Sequence, residues 1–497
     1  MSEDQEFILQ HLKLPKKYKK LRDNQLDSAQ KILKAFEKSK IVFFRAPTGS
    51  GKSLCSEIVA KFFSTSIFVT RSHTLEEQYA DDGLRRLDGK GNFECLIKEN
   101  TRVNKAPCVL PSFHCPSKGI CPYFVQKDKA LQSDSFVTNY TWLLSYINQP
   151  MNSGTIHRGL AVLDEAKSLL NVLIDVNTII LDSFVKGLAD EPTKPINWPE
   201  YTTVLIAKLE ALNSVVRDIN YYEERRALIS KLKEYNRDPY NYVITDIGND
   251  KTLLKPKTVN NAMITNLFDI ADKFLLMSAT FPNDVSPLAK LLNLPYLYES
   301  IDGGTPIAAS QRRIKVVGEL SISSQRKESL LETVPAIERI LNMYSVEKGM
   351  IYAHTNEFAH IIRDNISIAH KHRLVTHESR GLLEALKKHK QRKDNSVLLT
   401  TSAGSHGISL DDEQARFLIV AKFPFYDLAD EWILAQPEEY RVYEMVSDFM
   451  QICGRVVRGP KDYATVYVLD AVNFRRFYTN YRHLFPVWFQ QAVYLDG

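Results

Sequence analysis

Short apolar runs, each about as long as one strand, recur along the chain and alternate with stretches of helical period. Across residues 41–70 the order is an apolar run (Ile-Val-Phe-Phe-Arg-Ala), a glycine-rich turn (Pro-Thr-Gly-Ser-Gly-Lys-Ser), a helix over 54–63 and a second apolar run, Ser-Ile-Phe-Val-Thr. Strands that alternate with helices at this spacing predict a parallel sheet with crossover helices. Further runs at 160–163 and from Phe274 end on Asp164-Glu165 and on Ser278. The same rhythm restarts from about Ile314 to Asp470, with strands predicted at 350–353, 397–400, 417–420 and 464–468. The expected fold is α/β, with two separate sheets.

Two stretches break that rhythm. Residues 91–133 are rich in Cys, Lys and Pro and have no clear period, and 171–262 are polar, with helix-like segments such as 221–235. Both read as insertions into the first α/β domain. That domain is then assembled from 1–90, 134–170 and 263–305, and 306–497 forms the second.

Composition adds limits. At ~150 residues per domain, 497 residues predict three to four domains. A hydrophobic share of 44% and a charged share of 25% exclude a largely disordered chain. The 64 basic against 59 acidic residues give +5, too thin an excess to establish a nucleic-acid partner, though it permits a local basic channel. Apolar runs stay far below the ~18 residues of a membrane span, and residues 2–6 are polar, unlike a signal peptide. The expectation is a soluble protein with no membrane partner, cytoplasmic, or nuclear in a eukaryote. In such a reducing compartment the six cysteines are not expected to form a disulfide framework.

The sharpest chemistry lies at 46–53, Ala-Pro-Thr48-Gly49-Ser50-Gly51-Lys52-Ser53, a phosphate-loop pattern with Ala for the first glycine. Small residues let successive backbone N–H groups converge on phosphate oxygens. Lys52 adds a point charge, Ser53 can hold Mg2+, and the following helix N-terminus favours the anion. The alternative, a chance glycine-rich loop, fits poorly with a position between a strand and a helix. Asp164 and Glu165 close an apolar strand, where Asp164 would hold Mg2+ and Glu165 would polarise water. A DE pair on an exposed strand end is the weaker alternative. In the run from Gln451, Arg455 and Arg458 stand three apart, which predicts one helix face. Their guanidiniums suit charge spread over a transferring phosphoryl group, and a solvated arginine pair is the plainer reading.

Taken in order, these motifs resemble the XPD/DinG family of iron–sulfur superfamily 2 DNA helicases. The matching residues are Arg22-Asp-Asn-Gln25, the phosphate loop at Ala46, Thr-Arg-Ser-His-Thr-Leu-Glu-Glu-Gln at Thr70 and the glycine-rich run ending at Cys95. Cys-Pro-Tyr-Phe at Cys121, Val-Thr-Asn-Tyr at Val137, Val-Leu-Asp-Glu-Ala-Lys at Val162 and Met-Ser-Ala-Thr at Met277 follow. Gly349-Met-Ile-Tyr-Ala-His-Thr, Ser405-His-Gly-Ile-Ser, Phe423-Pro-Phe-Tyr-Asp and the run from Gln451 complete the set. The resemblance implies two RecA-like motor domains with ATP between them, and adenine read at Arg22 and Gln25. It also implies an iron–sulfur domain (91–133) and a helical Arch (171–262) inserted in the first motor. The implied protein is a monomer with Mg2+ and a [4Fe-4S] cluster that moves 5′→3′ on single-stranded DNA and opens forked or duplex DNA.

Cys95, Cys108, Cys115 and Cys121 are separated by 12, 6 and 5 residues. Zinc sites favour close pairs such as C-x2-C, whereas iron–sulfur ligation tolerates irregular spacing. On spacing alone, cluster, structural zinc and unligated thiols all stay open; the resemblance implies the cluster. Lys98, Arg102, Lys105, Lys118, Lys127 and Lys129 suit a rim that meets the DNA backbone, or a solvated face. Phe93, Phe113, Tyr123 and Phe124 could stack on bases but read as the core of this small domain, and for Tyr140 and Trp142, which could line the strand path, core packing is likewise expected. Arg71, Ser72 and His73 after one strand, and His354 and Thr401 after others, are candidate contacts to phosphates. The histidines serve equally as structural loop residues.

Three positions depart from the family. Lys167 replaces the usual histidine of the acidic box, a charge that can pair with an acidic neighbour. His406 and Ser409 stand where Glu and Asp are common, with Asp411 or Asp412 as substitutes a few residues on. These departures favour a rival reading: an ATP-regulated single-stranded nucleic-acid-binding module, or a translocase without productive unwinding. An RNA-directed motor is a third. With an Arch under 100 residues, a pared-down member is expected.

Overall fold

The computed structural model describes residues 21–109, 113–148, 156–191, 197–215, 219–248, 250–323, 326–378, 381–405 and 408–495. His406 lies outside them. In chain order the strands are β1 (Ile41–Arg45), β2 (Ser66–Thr70), β3 (Arg85–Arg86), β4 (Ser135–Asn139), β5 (Arg158–Leu163), β6 (Ile179–Leu181), β7 (Tyr242–Asp246), β8 (Thr252–Pro256), β9 (Ala271–Ser278) and β10 (Tyr298–Asp302). The second half adds β11 (Arg312–Val316), β12 (Gly349–Tyr352), β13 (Leu374–Val375), β14 (Val397–Thr400), β15 (Phe417–Val420), β16 (Ala464–Val468) and β17 (Val493–Tyr494).

These strands build two seven-stranded sheets, β10-β1-β9-β5-β2-β4-β3 and β13-β14-β12-β15-β16-β11-β17. Every pairing in both is parallel. Parallel sheets need cover on both faces, and strand alternation divides each core in two. Ile41 and Phe43 of β1 face one cluster while Val42 and Phe44 face the other. Met350 and Tyr352 of β12 separate from Ile351 in the same way. The α/β expectation with two sheets holds.

The second insertion is not purely helical. Its helices Trp198–Val215 and Ile219–Arg237 pack against an antiparallel sheet, β6-β8-β7, around a core of its own that includes Leu205, Leu232 and Leu254. The reason lies in the chain, where 242–246 and 252–256 flank a turn at Gly248 (φ +74°) and pair as a hairpin. Leu173 and Ile174, inside the expected Arch, instead pack in the core of the first sheet.

The register aligns the strand ends that matter. Arg45 pairs with Ser278 and Asp302, and Leu163 with Val69 and Leu276. In the second sheet Tyr352 pairs with Thr400 and Val420. The phosphate loop, the acidic box and the loops after β2, β12 and β14 therefore all leave carboxyl ends of parallel strands, where open α/β sheets place ligands.

Candidate nucleotide and nucleic-acid site

β1 delivers the phosphate loop, and Gly51 (φ +90°) turns it into the helix Lys52–Ala60. Gly49 (φ +79°) meets the opposite lobe so closely that a Cβ there would run into the Arg458 carbonyl oxygen. Both positions require glycine, for the left-handed backbone and for the close approach. Arg22 Nη1 donates to the Gly49 carbonyl at 2.6 Å, and Gln25, 5% exposed, donates its amide to the Gly51 carbonyl at 3.3 Å. Thr48 faces Gly454 of the second lobe, its hydroxyl 3.9 Å from where a Cβ would stand.

β5 leads directly into Asp164, whose Oδ2 accepts from the buried Tyr79 hydroxyl at 2.9 Å and whose Oδ1 accepts from the Glu165 amide at 2.8 Å. Tyr140 donates to the Asp164 carbonyl at 2.9 Å. Glu165 adopts φ +54°, an uncommon backbone for a residue with a side chain. Burial and Asp164 push its carboxyl above the ordinary range, against the pull of Arg455, Lys52 and Arg71. Burial likewise lowers the Lys52 ammonium, while Asp164 and Glu165 oppose that shift and Arg458 adds to it. Lys52, Asp164, Glu165, Arg455 and Arg458 thus share one electrostatic neighbourhood built from both lobes.

The arginines reach it by a route the helical spacing did not anticipate. The helix Glu438–Cys453 stops before them, with Gln451 in its last turn, because Gly454 and the following loop turn the chain away. They are not on one helix face. They converge instead on a single carbonyl: Arg455 Nη1 and Arg458 Nη2 donate to Ile408 O at 2.6 and 3.0 Å. Burial pushes Arg455 down to about 10, an effect Arg458 reinforces and Glu165 opposes. Burial lowers Arg458 as well, and Asp411, Glu165 and Asp462 oppose that shift. Ser50 Oγ and Arg458 Nε are buried without a hydrogen-bond partner among the described residues. Unpaired donors around a lysine and two arginines suit a phosphorylated anion.

Lys167 spans the lobes, its Nζ 2.9 Å from Glu444 and 2.7 Å from Asp448 on the helix Glu438–Cys453. Between those acids Ser447 donates to Thr280 at 3.2 Å. Sequence reasoning missed Tyr79, Glu444, Asp448 and Ile408. A tyrosine in a helix or an acid one turn from another has no local signature, and their roles exist through long-range packing.

Of the candidate strand contacts, Arg71 is exposed at the end of β2 and acts on Glu165. Ser72 precedes the helix His73–Asp81, and His73 Nδ1 lies 3.2 Å from the buried Glu76. His354 (φ +69°) sits 3.1 Å from the Tyr352 hydroxyl, and burial and Lys422 lower it to about 4, so it is neutral near pH 7. Thr401 is buried.

In the first insertion all four cysteines are free. Burial raises the Cys108 thiol; Lys90 opposes this, and Cys115, Cys95 and Cys121 all add to it. Among the described residues no three His, Cys, Asp or Glu side chains are close enough for one ion. A single zinc holds its sulfurs about 3.8 Å apart, from Zn–S bonds of ~2.3 Å. A four-iron cluster takes a wider set and needs four thiolate donors, the donor type these cysteines offer. Phe93 and Phe124 pack on the buried Tyr123, whose hydroxyl accepts from Trp142 at 3.2 Å, so these three rings form the core as expected, whereas Phe113 is 37% exposed and does not.

Two parallel sheets thus bring a phosphate loop, an acidic strand end and an arginine pair into one electrostatic neighbourhood. Residues 350–492 match the helicase C-terminal domain family. An XPD helicase is similar over 94% of this chain and 99% of its own, at 15% identity and a TM-score of 0.63. XPD in its apo form (14%, 92% and 98%, 0.59) and Xpd4 of S. tokodaii (15%, 95% and 99%, 0.57) are similar too. The resemblance to XPD-type helicases therefore holds in the fold. No curated protein matches the sequence. Among the described residues no helix is long and apolar enough to cross a membrane.

Proposed function

We propose that this chain is an ATP- and Mg2+-dependent helicase that moves 5′→3′ along single-stranded DNA and opens forked or duplex DNA. The observation that carries the reading is the convergence of Lys52, Asp164 and Glu165 from one lobe with Arg455 and Arg458 from the other. The backbone of 48–53 and the Lys52 ammonium would cradle the β- and γ-phosphates, with adenine near Arg22 and Gln25. Ser53 and Asp164 would hold Mg2+, which when bound draws charge off the phosphate oxygens. Glu165 takes a proton from the attacking water, and Arg455 and Arg458 stabilise the charge spread over the transferring group. Because the arginines belong to the second lobe, hydrolysis requires the lobes to be closed.

Cys95, Cys108, Cys115 and Cys121 would hold a [4Fe-4S] cluster that ties an otherwise small core together, so that the insertion is stiff enough to part a duplex. Its exposed Lys98, Arg102, Lys105, Lys118 and Lys129 suit a backbone-tracking rim.

The test pairs phosphate release, with and without single-stranded DNA, with strand displacement on forks carrying a 5′ or a 3′ tail. Stimulated hydrolysis with displacement from the 5′ tail is expected. Hydrolysis without displacement from either tail would establish the translocase or ATP-regulated binding reading instead.

A further inference from the structure

Lys167 stands two residues past Glu165 and takes no part in the phosphate chemistry above. Its ammonium leaves the first lobe and lies between two carboxylates of the second, Glu444 at 2.9 Å and Asp448 at 2.7 Å. The two acids are one helical turn apart, hence on one face of the helix Glu438–Cys453. Side-chain exposure is 11% for Lys167, 15% for Glu444 and 35% for Asp448, so most of this charge is withdrawn from water. Burial opposes the Lys167 charge, but Asp448 and Glu444 outweigh it and hold the ammonium more firmly protonated than in water. Tyr440 steadies the other Glu444 oxygen at 2.9 Å, and Ser447 fixes the same helix to Thr280.

Those contacts close a circuit. Glu165 is joined through Ala166 to Lys167, Lys167 to the helix, and the helix through Gln451, Cys453 and Gly454 to Arg455, which acts back on Glu165. We propose that Lys167, Glu444 and Asp448 form a cross-lobe latch that sets the placement of Glu165 against Arg455, making Lys167 a positioning residue that couples hydrolysis to movement of the second lobe. A lysine suits this task because its long stem spans the seam and its ammonium serves two acceptors at once. The inference rests on the hydrolase reading.

The experiment compares wild type, Lys167→Met, Lys167→Arg and the charge-free triple variant Lys167→Met/Glu444→Gln/Asp448→Asn in ATP hydrolysis with and without single-stranded DNA. Removing one partner of a buried ion group strands the others, whereas removing all three charges is tolerated; where Lys167→Met does not fold, the triple variant carries the test. The expected result is an unchanged KM for ATP and about a tenfold loss of DNA-stimulated kcat in the variants lacking the cation. Lys167→Arg should recover at least half of it. Full stimulation in the charge-free variant, or an arginine variant no better than methionine, overturns the latch. An inactive wild type would instead overturn the hydrolase reading, so the two failures are distinct.

Discussion

Lys52 and Glu165 both hold charge against burial, and that makes their substitution informative in different ways. Lys52→Ala removes the point charge proposed to face the phosphates without touching the core, so DNA-stimulated phosphate release should fall at least about a hundredfold with the fold intact by circular dichroism. Glu165 carries the opposite lesson. Its folded carboxyl lies above the ordinary range, so ionisation costs stability once pH rises through that value, and the cost is absent below the unfolded pKa. Glu165→Gln should therefore abolish turnover while raising the melting temperature by about 1–2 °C at neutral pH, with the difference vanishing in acid. For the same reason the acid limb of the wild-type rate should sit higher than an ordinary glutamate would place it. Tyr79 lies at the other end of the same network. Its hydroxyl, 2.9 Å from Asp164, fixes a residue proposed to hold Mg2+, so Tyr79→Phe should raise the Mg2+ concentration for half-maximal turnover about tenfold, read by titration.

Elements were legible in proportion to how local their causes are. The predicted strands at 397–400, 417–420 and 464–468 coincide with β14, β15 and β16, because an apolar run bounded by turns needs no distant partner to be recognised. The end of the helix at Cys453 was not, since the three-residue spacing of Arg455 and Arg458 imitates a helix that Gly454 interrupts. The hairpin of β7 and β8 was hidden in the same way by the stronger helical period before it. Lys167 was legible as a departure and as a charge in need of an acid, but which acid depended on a helix nearly three hundred residues away in the chain. The cysteine insertion stands between these cases: its four thiols were readable, their placement was not. With the proposed cluster in place the purified protein should be brown and absorb in the blue, and Cys108→Ser should remove both and depress strand displacement, while part of the hydrolysis survives. An unchanged unwinding rate would take the duplex-parting role away from this insertion.

At the scale of the whole molecule the question is what grips the strand. The candidate contacts follow carboxyl ends of parallel strands in both sheets, and phosphates held there would be held by position and charge without reading sequence. The five candidate contacts do not contribute alike. His354 is neutral near pH 7 because burial lowers it to about 4, and Thr401 is buried, so neither can neutralise a phosphate. Arg71 is exposed and always charged. On single strands each neutralised phosphate contributes about 0.7 to the slope of log affinity against log salt. Arg71→Ala should then lower that slope by about 0.7 in equilibrium binding to a DNA oligonucleotide, whereas His354→Ala should leave it unchanged. The same titration with an RNA strand separates charge from sugar. An equal slope with weaker binding would mean that the track counts phosphates but disfavours the 2′-hydroxyl, as a DNA motor should, while tighter binding to RNA would move the proposed substrate to RNA.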